Sequence, residues 1–203
     1  MPRAPDPQRR AALLAAATEH VLEHGMGNLS LRPLAKALST SPRMLLYHFG
    51  SKEQLVTEVS AAARVRQAEL TASWASQQKD QSPAQLLRRF WRWQIDEHRP
   101  FLRLFFEVYA LGLQTPQRFP GLPRDAVEAW LPLFTDTIRA AGVADPDASH
   151  AATAVIATYR GLLLDVLATD DVERTTHALD LFLAALETHL TEVATPLQDQ
   201  ANA

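Results

Sequence analysis

The chain of 203 residues contains no cysteine and only seven glycines. Without cysteine it has neither disulfides nor thiolate chemistry, a composition that fits a reducing cytoplasm. Val, Ile and Thr do not alternate with polar residues, as they do in half-buried strands. Because 47% of the residues are hydrophobic and recur at helical spacing, the sequence predicts an all-α protein of about nine helices.

Long hydrophobic runs are also missing. No uninterrupted apolar stretch approaches the roughly 18 residues that a membrane-spanning helix needs, so we expect no membrane as a partner. Arg9-Arg10 and the apolar run 11–17 resemble a signal peptide, but Glu19 follows closely and no small-residue cleavage site appears. We interpret this stretch as a helix of a soluble, cytoplasmic protein.

Motifs of catalytic chemistry are absent as well. The sequence has no glycine-rich phosphate loop, no G-x-S-x-G nucleophile elbow and no H-E-x-x-H zinc motif. His20 and His24 are four residues apart and could pair on a metal, but no third ligand accompanies them. We therefore predict no enzymatic activity, no metal and no cofactor.

The formal net charge of -3 conceals an asymmetry along the chain. Residues 1–60 contain seven Lys or Arg and five Asp or Glu, whereas the remainder contains 13 basic and 18 acidic residues. A mildly basic head on an acidic body is typical of a small DNA-binding module joined to a larger domain. Chance unevenness would give the same numbers, so the charge alone does not decide the function.

Two short predicted helices, 31–38 and 42–48, have the lengths and the intervening turn of a helix-turn-helix. Ser41-Pro42 combines an N-cap with a proline in the first helical turn, which marks the start of the second helix. Ala35 is small, as the close crossing of two helices requires. The pattern predicts a helix-turn-helix over about residues 30–49.

The segment around this pattern resembles the TetR-like (tetracycline-repressor) family of regulators over residues 8–56. The family form L-Y-x-H-F-x-x-K-x-x-L is matched by His48-Phe49, Lys52 and Leu55, whereas Leu46 replaces the usual Tyr and Ser39 the usual turn glycine. The resemblance implies a three-helix DNA-binding domain followed by a larger helical domain. The domains that it implies are a DNA-binding domain at 6–50, an effector-binding and dimerisation domain at 51–195, and a disordered tail at 196–203.

The N-terminal residues of a recognition helix contact base edges in the major groove. Arg43 is predicted to bind guanine through two hydrogen bonds, or else to be a solvated or phosphate-binding arginine. Pro42 and Met44 are predicted to contact thymine methyl groups, although Met44 could equally pad the helix.

Other positions are predicted to hold the DNA backbone. The resemblance implies phosphate contacts for Tyr47, His48 and Lys52, and His48 could equally pack on the first helix. Ser41 is expected both to cap its helix and to donate to phosphate. Weaker phosphate candidates are Arg32 and Thr40.

Two further residue sets are expected in the larger domain. Aromatic residues suit a greasy or flat ligand but also a plain packed core, and the candidates are Trp91, Phe105, Tyr109, Trp130, Phe134 and Tyr159. The last two helices have broad apolar faces, which the family resemblance assigns to a dimer interface and which a monomeric core would also produce. The interface candidates are Ala151, Val155, Leu162, Ala178, Phe182 and Ala185.

These expectations together predict a ligand-responsive repressor that binds a palindromic double-stranded operator as a homodimer and is released by a small hydrophobic or aromatic effector. The first alternative is an effector-less helical dimer that coats DNA without sequence preference or docks a protein. A helical enzyme that modifies a small molecule is the weakest alternative.

Overall fold

The structure is a computed structural model that describes residues 6–26, 29–78 and 81–194. In these ranges the regular elements are all helices, which confirms the all-α fold class. The predicted tail at 196–203 lies outside the described residues. The helices are α1 (Pro7–His24), α2 (Leu31–Ala37), α3 (Pro42–Phe49), α4 (Lys52–Ser76), α5 (Pro83–Glu97), α6 (Arg99–Gln114), α7 (Leu122–Glu128), α8 (Leu131–Arg139), α9 (Asp147–Thr169) and α10 (Val172–Val193).

The helix starts follow local capping chemistry. The Asp6 carboxylate accepts a hydrogen bond from the backbone N–H of Gln8 at 2.9 Å, and Pro7 takes the first helical position. The hydroxyl oxygen of Ser41 accepts from the N–H of Met44 at 3.2 Å at the start of α3. Each cap satisfies a backbone donor that has no partner inside its own helix.

The segment 122–139 forms two helices, α7 and α8, and not one continuous helix. Pro132 explains the break, because it has no N–H and its ring would collide with the carbonyl of Glu128, four residues earlier. The α-helix therefore ends at Glu128 and restarts with Pro132 in the first turn of α8.

One compact unit contains the described residues up to Gln77 together with Pro100–Arg124. Within it α1 packs on α2 and α4, while α3 packs on α2 and α4. These contacts enclose a small apolar core to which all four helices contribute. Its buried members include Leu13, Ala17, Val21, Leu34, Ala35, Leu45, Phe49, Leu55 and Val59.

The second compact unit contains Gln78–Arg99 and the described residues from Asp125 onward. Within it α9 packs on α8 and α10, and α10 packs on α5. This division into units describes packing. The boundary at residue 50 between a DNA-binding domain and an effector-binding domain is a functional division, and it stays a prediction.

α9 corrects the expectation about membrane-length segments. An 18-residue window of Asp147–Thr169 has a mean hydropathy of 1.4, so this helix is long and apolar enough to cross a membrane by length and composition. The sequence contains no uninterrupted apolar run here, because Thr153, Thr158 and Arg160 interrupt it. These three residues lower the mean hydropathy of the helix only slightly. One such helix is weak evidence, since the core helix of a soluble protein passes the same test.

Ser39, in the turn between α2 and α3, has a φ of 51°. This left-handed conformation costs a residue with a Cβ roughly 1–2 kcal/mol. Because the Ser39 side chain is exposed, we expect Ser39→Gly to stabilise the protein by about 0.5–1 kcal/mol, measured as a higher urea midpoint with unchanged slope.

Asp170 provides the matched control, because it also has a positive φ, 57°, at the end of α9. Its carboxylate forms an ion pair with Arg99. Asp170→Gly therefore removes strain and a contact together, and its urea midpoint should rise less than that of Ser39→Gly. An equal or larger rise in Asp170→Gly would contradict the explanation.

Candidate nucleic-acid interface

α3 has one face in the core and one face on the surface. Leu45 and Phe49 are buried, and they fix the inner side of the helix. Arg43 is exposed, and the side chains of Met44 and Tyr47 are 39% and 42% exposed. Because successive residues are 100° apart on a helix, Arg43 and Tyr47 lie opposite the buried side. The predicted recognition helix therefore presents an accessible surface.

Arg10 fixes α3 to the rest of its unit. Its Nη2 lies 2.6 Å from both carboxylate oxygens of Glu58 in α4, and its Nε donates to the carbonyl oxygen of His48 at 3.1 Å. Its guanidinium carbon also lies 5.1 Å from the ring centroid of Phe49. One side chain of α1 thus binds α3 and α4. This role of Arg10 could not be predicted from the sequence, because no local pattern reveals partners 38 and 48 residues away.

His48 occupies the packing alternative rather than a phosphate-binding position. Its side chain is 6% exposed, and its ring lies edge-on to Tyr47 with centroids 5.2 Å apart. Both ring nitrogens are buried without a hydrogen-bond partner among the described residues. A buried ring cannot reach a phosphate on the surface, so we remove His48 from the candidate DNA contacts.

The remaining polar candidates are accessible. Arg32 lies in the first turn of α2 and Lys52 begins α4, and neither forms an ion pair within the described part of the chain. Lys52 also lies at a helix N-terminus, where exposed N–H groups favour an anion. Ser41 is exposed and keeps its hydroxyl hydrogen for donation, whereas Thr40 is half-buried, like Pro42.

Lys36 is a candidate that the sequence analysis did not select. It is exposed and lies four residues after Arg32 on α2, so both cations share one side of this helix. The sequence does contain a signal for Lys36, namely its i, i+4 spacing from Arg32 in the helix before the turn. Lys36 extends the positive surface beside α3.

Segment Pro100–Arg124 contacts two other parts of its own compact unit, Glu53 in α4 and Met26 after α1. Arg118 Nη2 lies 2.9 Å from a carboxylate oxygen of Glu53, the residue that follows Lys52. Arg118 therefore offsets a negative charge beside a candidate phosphate contact. The Glu107 carboxylate accepts from the N–H of Met26 just after α1.

The predicted ligand contacts are divided between the two compact units. Phe105 and Tyr109 stack in the first unit with centroids 5.9 Å apart and are half-buried. Trp130 is half-buried in the second unit. These three residues stay candidates.

The other three predicted ligand contacts lie in the core of the second unit. Trp91 is fully buried, and its indole N–H donates to Thr176 at 2.9 Å. Phe134 is buried beside Tyr159, whose hydroxyl donates to the carbonyl oxygen of Leu87. Burial raises the pKa of the Tyr159 phenol well above its ordinary value, which keeps this donor protonated. Their burial and hydrogen bonds fit a packed core, and a ligand role for these three aromatics stays a prediction.

The predicted dimer contacts also divide by burial. Ala151 and Val155 are buried inside their own chain, which corrects their assignment to a surface. Leu162, Ala178 and Phe182 are half-buried, and Ala185 is exposed.

Two exposed apolar stripes run along the last two helices. On α9 the exposed apolar residues recur at spacings of three and four residues, which places them on one face of the helix. Apart from its chain neighbours and the backbone of its own helix, no atom of the described chain lies within 4 Å of a Cβ added at Gly161. Leu181 of α10 is 70% exposed. We define the C-terminal apolar stripes as Ala154, Ala157, Gly161, Leu164, Leu181 and Ala185, all of which are exposed.

Residues 13–59 match the family model described as bacterial regulatory proteins, tetR family. The chain is also 31% identical over 113 residues to the HTH-type transcriptional repressor Rv3405c of Mycobacterium tuberculosis (strain ATCC 25618 / H37Rv). This alignment covers 55% of the chain and 54% of the relative, so the chain matches about half the length of that protein.

Solved structures share the fold over nearly the whole chain. A transcriptional regulator from Rhodococcus sp. Rha1 has a TM-score of 0.70 at 20% identity, covering 89% of this chain and 96% of its own. The multidrug binding protein EbrR, crystallised with imidazole, has a TM-score of 0.65 at 25% identity, covering 97% and 96%. The curated relative and these proteins are regulators or binding proteins by name, and none is named as an enzyme.

Proposed function

We propose that this chain, whose residues 13–59 match the family model of bacterial regulatory proteins, tetR family, is a transcriptional repressor of that family. It binds a palindromic operator in double-stranded DNA as a homodimer, and a small hydrophobic or aromatic effector releases it. The proposed place of action is the cytoplasm. The proposed functional division is a DNA-binding domain at 6–50 and an effector-binding and dimerisation domain at 51–195.

The observation that carries the proposal is the surface of α3. Arg43 and Tyr47 point away from the core, and Arg32 and Lys52 lie on the neighbouring helices as exposed cations. In this arrangement Arg43 reads base edges while the cations neutralise phosphates. The overall net charge of -3 does not oppose this role, since only the local surface meets the DNA.

The homodimer is supported by the C-terminal apolar stripes. Scattered apolar residues are normal on a surface, but rows of exposed apolar residues along α9 and α10, with Leu181 70% exposed, are typical of a contact face. A dimer also suits the short α3, because one eight-residue helix reads only a few base pairs. Two copies related by a two-fold axis read a palindrome.

The effector is supported by similarity and by three accessible aromatics. EbrR, which shares the fold, is described as a multidrug binding protein and holds imidazole. Phe105, Tyr109 and Trp130 are half-buried here and are the proposed aromatic contacts. The effector shifts the protein between two states only as far as its affinities for those states differ.

Selection from a random duplex pool, followed by footprinting at rising salt, tests this function. A repressor should recover one short palindrome and protect it up to salt concentrations at which other duplexes are released. Uniform loss of protection on all sequences would instead support the DNA-coating alternative. Binding to no duplex would reject both functions.

Arg43→Ala should reduce the preference for guanine at one position in each half-site, because a two-bond contact to guanine contributes about 1–3 kcal/mol of discrimination. The measurement is competitive binding of the selected operator and its single-base variants at fixed salt. We expect the variant to bind the four bases at that position almost equally.

Lys52→Ala is the matched control for Arg43→Ala. As a phosphate contact, Lys52 should affect all duplexes alike and lower the salt dependence of binding by about one unit of slope. If Arg43→Ala also weakened every sequence equally, Arg43 would be a phosphate contact and not a base-reading residue.

A further inference from the structure

α3 exposes more apolar side chain than its position in the fold requires. Met44, Leu46 and Tyr47 are 39%, 40% and 42% exposed on a helix of eight residues. The inner side of the helix is already filled by Leu45 and Phe49. A polar residue would be the cheaper choice at an exposed position that the core does not use. The exposed apolar groups therefore indicate a contact outside the chain.

Leu46 lies on the flank of the surface that holds Arg43. At 100° per residue, Arg43 and Tyr47 face outward, while Leu46 lies on one side of them and Met44 on the other. The backbone of Leu46 has a structural part, since its carbonyl oxygen accepts from the N–H of Gly50 at 2.8 Å. Its side chain is 40% exposed, so part of its apolar surface is accessible to a partner beyond α3.

We propose that Leu46 reads the C5-methyl group of a thymine in each operator half-site. This inference rests on the proposed function. A leucine side chain offers neither a donor nor an acceptor, so it cannot read the hydrogen-bonding edges of the bases. Thymine is the one standard base that presents a methyl group in the major groove. Arg43 beside it would read guanine, so each half-site contains a guanine close to a thymine.

Deoxyuridine isolates this contact, because it keeps the hydrogen-bonding groups of thymine and lacks only the methyl. In the selected operator, each thymine is replaced in turn by deoxyuridine in both half-sites. Losing one buried methyl in each half-site should weaken wild-type binding about fourfold per half-site, or roughly 15-fold in all. Leu46→Ala should show no such loss at that position, although it binds the unmodified operator more weakly.

Met44→Ala is the matched control, since Met44 flanks the same surface on the opposite side of α3. Because any thymine methyl that Met44 contacts lies on the other side of α3, Met44→Ala should keep the deoxyuridine sensitivity at the position where Leu46→Ala loses it. Placing 5-methylcytosine at the same position should restore more affinity than cytosine does, because it returns the methyl in the groove. Both variants alter exposed residues, and unchanged thermal unfolding shows that their folds are intact.

Three results would overturn the inference. One is a thymine-containing operator that wild-type protein binds equally well with deoxyuridine throughout. Another is a sensitivity that persists in Leu46→Ala. The third is a selected half-site without thymine. In each case a specific operator exists, so the proposed function stands and only the role of Leu46 falls. Failure to select any operator rejects the proposed function itself and the role of Leu46 with it.

Discussion

Leu181→Arg is expected to convert the proposed dimer into a monomer and to lower operator affinity by about 100- to 10,000-fold. Leu181 has the largest exposed fraction among the large hydrophobic residues of the described chain, 70%. An arginine there would bring an unpaired charge into each half of the proposed dimer contact, where its desolvation has no compensation. A monomer also loses the gain that two linked half-site contacts provide. Light scattering after gel filtration gives the mass, and operator titration at fixed salt gives the affinity.

Leu113→Arg is the control for Leu181→Arg. Leu113 is an equally large apolar residue, 60% exposed, but it lies on α6 outside the C-terminal apolar stripes. The Leu113→Arg protein should stay dimeric and bind the operator almost as tightly as the wild-type protein. A Leu181→Arg protein that keeps the mass of a dimer would move the interface away from these stripes. A monomer that retains full operator affinity would show that dimerisation is not needed for binding.

The parts of the fold that depend on local chemistry could be predicted from the sequence. The caps at Asp6 and Ser41 and the prolines that follow them specify helix starts within a few residues. The helix-turn-helix was likewise predictable, because Ala35 and Leu45 are spaced so that both meet one small core. The break between α7 and α8 follows the same proline rule, at Pro132.

Features that depend on distant contacts could not be predicted. α9 is apolar on almost all sides, so the sequence offers no way to separate the buried Val155 from the exposed Leu164. The aromatics pose the same problem, since no local sequence pattern shows that Trp91 lies in the core while Trp130 is only half-buried. His48 fitted the family motif as a surface contact, yet its ring is buried. Only the packing of the whole chain decides these cases.

Arg10→Met is expected to destabilise the unit that contains α3 by about 2 kcal/mol. The substitution keeps most of the apolar stem and removes the ion pair with Glu58, the hydrogen bond to the His48 carbonyl and the contact with Phe49. Half-exposed ion pairs, carbonyl hydrogen bonds and cation–π contacts each contribute roughly 0.5–1 kcal/mol. Urea unfolding measures the loss of stability, and hydrogen exchange of the α3 backbone amides shows where it occurs. The exchange of α3 should accelerate more than that of α9.

Arg9→Met separates this role from the general loss of a positive charge. Arg9 is the preceding residue of α1, and its side chain is exposed. Its substitution should leave the urea midpoint nearly unchanged. Adding Glu58→Met to Arg10→Met should recover part of the stability, because the half-buried carboxylate then no longer lacks a partner. If Arg9→Met and Arg10→Met shift the midpoint equally, Arg10 does not hold α3. The orientation of the DNA-reading surface must then come from the apolar core alone.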